Sequence, residues 1–174
     1  MSTKWMLAIA AVLMLAATAV RGQNFWSSRF EYEPTDPNAF MPYEFSLDLL
    51  GTYATRDRKG RSEDAWGLGA GINYFITRNI GVGADTYADA FHAPYLLNAS
   101  VIYRYPLPDI GLAPYGFAGF GRQWEYAPQW TGHLGAGAEF RFNRKTGVFL
   151  DVRGVFPDRT KEYALWRAGV RLGF

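Results

Sequence analysis

Cysteine is absent from the 174-residue sequence. Its absence excludes a disulfide-stapled scaffold, a thiolate metal site and an acylated lipoprotein cysteine. Lysine is scarce: beyond residue 22 it occurs only at Lys59, Lys145 and Lys161. The same part of the chain lacks the apolar period of an amphipathic helix, so a helical bundle is not expected.

The first 22 residues have the pattern of a secretory signal peptide. Lys4 precedes an apolar run over residues 5–15, and residues 17–19 read A-T-A, the A-x-A form of a cleavage site. Residues 20–22 offer a second cleavage site. A retained anchor helix is the alternative, but the apolar run is shorter than the roughly 20 residues that a membrane-spanning helix needs. We therefore predict a signal peptide over 1–22.

An excess of charge of either sign is also missing. Removal of residues 1–22 takes away Lys4 and Arg21 and no acidic residue, and leaves 16 basic and 16 acidic residues. This balance predicts no nucleic-acid partner. Residues 23–42 hold three prolines and no sustained period, and we interpret them as an irregular lead segment.

From residue 43 onward, apolar and polar residues alternate with the period of two that is typical of β-strands. In the last run, Val170, Leu172 and Phe174 fall on one side and Arg167 and Arg171 on the other. Eight such runs are predicted, at 43–54, 65–76, 80–89, 95–105, 114–124, 132–142, 147–156 and 166–174. Their connections, which include RDRKGRSED at 56–64, are rich in turn residues and charge, so the sequence predicts an all-β, antiparallel up-and-down architecture.

The polar faces of these runs carry arginine and carboxylate but no lysine. Arginine suits enclosed pairing with carboxylates because its planar fork donates two parallel hydrogen bonds. We predict an inward-facing ionic network made of Glu44, Asp48, Asp85, Asp89, Arg104, Arg122, Glu139, Arg141, Asp151, Arg153, Arg167 and Arg171. The fifth run has aromatic residues on both faces, and there Tyr115 and Phe117 are assigned outward and Arg122 inward.

The length of the runs and their aromatic ends favour a membrane. Tilted strands of about 10 residues cross a bilayer, and aromatic girdles mark both interfaces. Tyr43, Trp66, Tyr103, Phe142 and Trp166 lie near run ends in this way. A soluble barrel with its apolar face inward is the alternative.

A resemblance to a known family lies in the signal peptide, in YFITRNIGVGAD (74–85), in LAPYGFAGFGRQW (112–124) and in a last strand that ends in phenylalanine. Together these resemble the OmpA-like and OmpX-like small outer-membrane β-barrels of Gram-negative bacteria, over residues 43–174. The resemblance implies an eight-stranded transmembrane barrel with both termini in the periplasm. The lead segment at 23–42 is not part of the resemblance, and we interpret it as a periplasmic segment. The resemblance further implies that the barrel-assembly machinery reads Val170, Leu172 and Phe174 as an assembly signal.

Catalytic chemistry has little support. His133 and Glu139 share a predicted inward face, but two strand residues six apart lie about 20 Å from each other. We expect no enzyme activity, cofactor or metal. The predicted role is structural or surface-interacting, for a monomer in contact with outer-membrane lipid and lipopolysaccharide. A narrow pore, a lipocalin-like soluble ligand-binding barrel and a lipid-modifying enzyme remain alternatives.

Overall fold

Eight antiparallel strands form the protein in a computed structural model, which describes residues 40–58, 61–89, 96–124, 128–160 and 162–174. The strands are β1 Glu44–Arg58, β2 Arg61–Phe75, β3 Ile80–Asp89, β4 Leu96–Arg104, β5 Leu112–Gln123, β6 Gln129–Arg141, β7 Thr146–Pro157 and β8 Tyr163–Gly173. Within the described ranges, no helix is long and apolar enough to cross a membrane. The predicted signal peptide and most of the predicted lead segment lie outside the described residues.

Each strand pairs with the next in the chain, and β8 pairs with β1 to close a barrel. The prediction of an eight-stranded antiparallel up-and-down barrel is therefore confirmed. Short turns at 76–79 and 142–145 join strands at the end of the barrel where β1 begins and β8 ends. We call this the terminal end, and we call the opposite end, where β1 meets β2, the loop end.

Side chains alternate between the interior and the outer surface along every strand. In β4, exposed Leu97, Val101 and Tyr103 alternate with buried Asn98 and Ser100. Many large apolar side chains thus lie outside: Leu68 is 75% exposed and Val101 60% exposed. The apolar face that the sequence indicates is the outer surface of this barrel, and the polar face is its core.

The connection predicted at 56–64 is wrong in extent. Strands β1 and β2 continue through it, with Thr55 opposite Asp64 and Arg58 opposite Arg61. Only residues 59 and 60, outside the described residues, lie between the two strands. Charged residues indicated a loop, but a hairpin that extends beyond the apolar band can be polar on both faces and keep its ladder of backbone hydrogen bonds.

The predicted orientation of the fifth run is also wrong. Tyr115 and Phe117 are buried inside the barrel, and Arg122 is exposed on its outer surface. The Phe117 ring lies against the guanidinium groups of Arg153 and Arg167, whose Cζ atoms are 5.1 and 5.0 Å from its centroid. Arginines that pair edge-on with carboxylates leave their flat faces free, and aromatic rings cover those faces inside the barrel.

Glycine makes room for these large interior groups. A Cβ atom at Gly135 would overlap the Phe117 ring, and one at Gly137 would overlap the Cβ of Asp151. Both glycines lie on β6, next to the strands that supply the bulky side chains. An eight-stranded barrel is just wide enough to be filled by side chains, so neighbouring positions must alternate between small and large.

Candidate functional site

The barrel interior holds the chemistry of this chain. Ten inward-facing charged residues are described, five carboxylates and five guanidinium groups: Glu44, Asp48, Asp85, Glu139, Asp151, Arg104, Arg141, Arg153, Arg167 and Arg171. Burial of a charge requires a partner and further hydrogen bonds, because its hydration is lost. Every one of these groups has such a partner, and the pairs form two separate networks.

The terminal network lies toward the terminal end and is centred on Glu139 and Glu44. Arg171 makes a two-point contact with Asp48, with Nε–Oδ1 and Nη2–Oδ2 distances of 2.7 Å, and its Nη1 lies 2.6 Å from Glu139 Oε2. Arg141 donates from Nε to Glu139 Oε1 at 2.5 Å and from Nη2 to Glu44 Oε1.

The same network continues from Glu44 to Arg104. Arg104 Nη2 lies 3.2 Å from Glu44 Oε2, and its Nε donates to the Arg78 carbonyl at 2.8 Å. The Arg104 guanidinium also stacks on Phe75, with Cζ 3.5 Å from the ring centroid. Three arginines and three carboxylates alternate along this chain of contacts, so the terminal network is neutral.

The central network joins four residues from β3, β7 and β8. Arg167 makes a two-point contact with Asp151, at 2.7 Å from Nε to Oδ1 and 2.9 Å from Nη2 to Oδ2. Its Nη1 reaches Asp85 Oδ2 at 3.1 Å, and Arg153 binds the same carboxylate through Nη1 and Nη2 at 3.0 and 2.5 Å. Two arginines and two aspartates make this network neutral as well.

Tyr115 connects the two networks. Its hydroxyl donates to Asp151 Oδ2 at 2.7 Å, and its ring lies 5.7 Å from the Cζ atom of Arg171. Two asparagines donate further hydrogen bonds to the interior carboxylates. Asn73 donates to Asp48 and Asn98 donates to Asp85, each at 2.9 Å. Each asparagine thus supplies a further hydrogen bond to a carboxylate whose other partners are arginines.

The terminal end of the interior is covered by Phe40, the last part of the lead segment. Its side chain is 2% exposed and lies between Arg104 and Arg141, whose Cζ atoms are 5.2 and 5.1 Å from the ring centroid. The chain then turns at Tyr43, which has a φ of 59°, and enters β1. The lead segment thus contributes an aromatic cover to the terminal network.

The loop end of the interior combines apolar and polar side chains. One part is a cluster of buried side chains, namely Ala54, Tyr87, Leu96, Val155, Tyr163 and Leu165. Beside it, the buried side chains of Gln123 and Gln129 share a hydrogen bond of 3.3 Å. The hydroxyl groups of Tyr87 and Tyr163 lie 3.0 Å apart, so these two polar atoms share a hydrogen bond within the apolar cluster. This uncharged layer lies on the loop-end side of the two ionic networks.

A serine–histidine pair lies inside the barrel but has no catalytic arrangement. Ser100 Oγ lies 2.9 Å from His133 Nε2, and His133 Nδ1 is buried without a partner. A hydrolytic triad needs a carboxylate at that second nitrogen. Glu139 is bound instead by Arg141 and Arg171. Among the described residues, no group of three or more acidic or histidine side chains could hold a metal ion.

The remaining predicted site residues lie elsewhere. Arg122 was assigned to the interior network, and that assignment is wrong: its guanidinium lies outside the barrel, 5.4 Å from the Trp130 ring centroid. The side chain of Asp89 is not among those described. Val170 and Leu172 on β8 and Phe174, the residue after β8, face outward, and the centroid of the Phe174 ring lies 6.2 Å from that of Phe45 on β1. Their role in assembly stays a prediction.

Comparison with known proteins identifies the fold. No family model and no curated protein sequence matches the chain. Among solved structures, the N-terminal β-barrel domain of Pseudomonas aeruginosa OprF aligns with a TM-score of 0.64 at 19% identity, over 76% of this chain and 98% of that one. Neisserial surface protein A aligns with a TM-score of 0.61 at 16% identity, over 75% and 97%.

A third similar structure is Ail, the attachment invasion locus protein of Yersinia pestis. It aligns with a TM-score of 0.58 at 15% identity, over 77% of this chain and all of that one. A de novo designed transmembrane β-barrel aligns comparably, with a TM-score of 0.59, so the similarity concerns the fold and not a particular activity. The chain has the fold of the small eight-stranded outer-membrane β-barrels, in agreement with the OmpA-like and OmpX-like resemblance of its sequence.

Proposed function

We propose that this chain is an integral outer-membrane barrel with a closed, charge-filled interior, and that it serves a structural or surface-interacting role. The observation that carries the proposal is the pair of neutral arginine–carboxylate networks that fill the interior. A protein with this arrangement presents lipid-facing side chains and exposed loops to its surroundings. Its interior is largely occupied by paired side chains, which leave little room for a ligand.

The outer surface supports insertion in a membrane. Large apolar side chains are exposed along the middle of the strands, where Leu68 and Val101 are examples. Aromatic side chains are exposed toward both ends: Trp66, Trp124, Trp130 and Trp166 toward the loop end, and Tyr43, Tyr103, Tyr105, Phe142 and Phe174 toward the terminal end. An apolar band between two aromatic girdles is the surface of a transmembrane barrel. A soluble barrel would place these side chains inside.

The filled interior argues against the pore alternative. Arg171 and Arg141 lie across the lumen on the way from the terminal end, and Phe40 covers that end. An open channel would leave these charges in contact with water, whereas here the side chains of all five arginines are nearly inaccessible. The unpartnered Nδ1 of His133 argues against the lipid-modifying enzyme.

Partners follow from this placement. We propose outer-membrane lipid and lipopolysaccharide as the surroundings of a monomeric barrel, and the barrel-assembly machinery as its partner during insertion. At the loop end, the β1–β2 hairpin extends beyond the neighbouring strands β3 and β8, and small outer-membrane barrels have short periplasmic turns and longer extracellular segments. The loop end is therefore proposed to face the outside of the cell.

The deciding experiment combines a folding assay with conductance. The purified protein should migrate differently on SDS gels before and after heating, which reports a folded barrel. The same sample in planar bilayers should show no steady ionic current. Steady current from the folded sample would favour the pore, and solubility of the folded protein without detergent would favour the soluble barrel.

A further inference from the structure

Arg122 places a charged side chain on the outer surface of the barrel. Among the strand residues whose side chains the structure describes, Arg122 is the single charged group on the outer surface, and the five other strand arginines all face inward. Arg122 lies one residue before the end of β5, at the loop end. It makes no ion pair with a carboxylate of the described part of the chain.

Aromatic side chains surround this arginine. Trp130 is its register partner on β6, and the Arg122 Cζ atom lies 5.4 Å from the Trp130 ring centroid. Phe120 and Trp124 flank it on β5, and Phe120, Trp124 and Trp130 are all exposed. Leu97, its register partner on β4, is exposed and apolar. Arg122 is thus a cation set among tryptophans in the girdle of the loop end.

The physical chemistry of this position points to an anionic lipid headgroup. Tryptophan girdles lie at the level of the headgroups, and a charge on the lipid face is tolerated near the interface but not at the middle of the bilayer. Since no carboxylate of the described residues pairs with it, the Arg122 guanidinium is available to an anion from outside the protein. Its planar fork binds phosphate oxygens with two hydrogen bonds, and the cation–π contact with Trp130 restricts its orientation.

We propose that Arg122 and Trp130 form a subsite for a phosphate group of the phosphorylated glycolipid of the outer leaflet. The inference rests on the proposed outer-membrane placement, because that placement sets the loop end in the leaflet where this lipid lies. Arg122 binds the phosphate, and the neighbouring tryptophans pack against the amphipathic boundary between headgroup and acyl chains.

The test measures lipid binding to the folded, detergent-solubilised barrel by native mass spectrometry, with bisphosphorylated lipid A as the probe. The Arg122→Gln variant should bind this lipid about tenfold more weakly, which corresponds to about 1.4 kcal/mol. The Arg122→Lys variant should retain part of the affinity. Arg159→Gln is the matched control, because Arg159 is exposed in a turn at the same end and carries the same charge. It should bind like the unmodified protein.

Further probes identify the source of the phosphate. Dephosphorylated lipid A should bind the unmodified protein as weakly as bisphosphorylated lipid A binds Arg122→Gln. Phosphatidylglycerol and inorganic phosphate should not compete at equal concentration. Equal binding by Arg122→Gln and the unmodified protein, an equal loss in Arg159→Gln, or full competition by either alternative anion would overturn the subsite. Absence of the heat-dependent gel shift in the unmodified protein would overturn the proposed function and the subsite with it. If the gel shift is present but Arg122→Gln binds lipid A as tightly as the unmodified protein, the subsite alone is overturned.

Discussion

The hydroxyl of Tyr115 on β5 donates a 2.7 Å hydrogen bond to Asp151 on β7, across the intervening strand β6. Asp151 is held on its other side by Arg167, and the Tyr115 ring lies beneath Arg171. One side chain therefore contacts both ionic networks. We therefore expect Tyr115 to couple the two networks energetically, and the free energy of unfolding measures this coupling.

Removal of the Tyr115 hydroxyl should destabilise the barrel. Tyr115→Phe keeps the ring but takes one donor from a buried carboxylate, and a hydrogen bond to a charged group contributes about 1.5–3 kcal/mol. Urea-induced unfolding in lipid vesicles measures the change in the free energy of unfolding. Tyr103→Phe is the matched control, because Tyr103 faces outward and is exposed. Equal stability of the two variants would contradict the link between the networks.

Loss of one interior arginine should cost more than loss of the hydroxyl. Arg171→Met leaves Asp48 and Glu139 without this partner in a buried site, and breaking a buried pair in this way costs about 3–5 kcal/mol. The same unfolding assay measures the loss. Arg122→Met removes the same charge from the outer surface and should unfold within about 1 kcal/mol of the unmodified protein. A similar loss of stability in both variants would show that the buried ion pairs do not account for the effect of Arg171→Met.

The aromatic cover should contribute stability without acting as the barrier to ions. Phe40→Ala removes the ring between Arg104 and Arg141, and desolvated cation–π contacts are worth about 2 kcal/mol. We expect lower stability but still no steady current in planar bilayers, because the networks stay in place. A steady current through Phe40→Ala, but not through the unmodified protein, would show that the lead segment, and not the ionic networks, blocks the passage of ions.

Topology predicts a difference in exposure between two insertions. A protease site inserted at Gly60, between β1 and β2, should be cut on intact cells, because that hairpin lies at the loop end. The same site inserted in the 142–145 turn should be protected until the outer membrane is opened. Cleavage of both on intact cells would contradict the proposed orientation.

Phe174, which follows the last residue of β8 and is exposed, provides a test of assembly. Phe174→Asp places a charge on the lipid-facing side beside Phe45, which disfavours insertion and disrupts the assembly signal implied by the family resemblance. The amount of heat-modifiable barrel in outer-membrane fractions should fall, and unfolded protein should accumulate. Asn143→Asp, in an exposed turn, carries the same charge as a control. Normal outer-membrane levels of the folded Phe174→Asp variant would contradict a role for Phe174 in the assembly signal.

Much of the fold follows from a two-residue period, which is why the strand count and the outward faces of β4, β6 and β8 could be predicted. The two-residue period does not identify the inward face where both faces of a strand carry aromatic residues. In β5 the predicted orientations of Tyr115 and Arg122 are therefore opposite to the observed ones. Polarity also fails as a boundary signal at the β1–β2 hairpin. The network partners could not be predicted at all, because Glu44 and Arg141 are 97 residues apart and meet only through the curvature of the closed sheet.

The pairing of β8 with β1 closes the barrel and also brings two charged residues together. Asp48 and Arg171 are register partners in this pairing, so the backbone contact that closes the barrel also joins the Asp48 carboxylate to the rest of the terminal network. A seven-stranded intermediate would hold Asp48 and Glu139 without this arginine, and a β8 shifted by one residue would turn Arg171 toward lipid. The pairing of β8 with β1 therefore also supplies the arginine that neutralises Asp48, so an incomplete or misregistered barrel would leave this carboxylate without its partner.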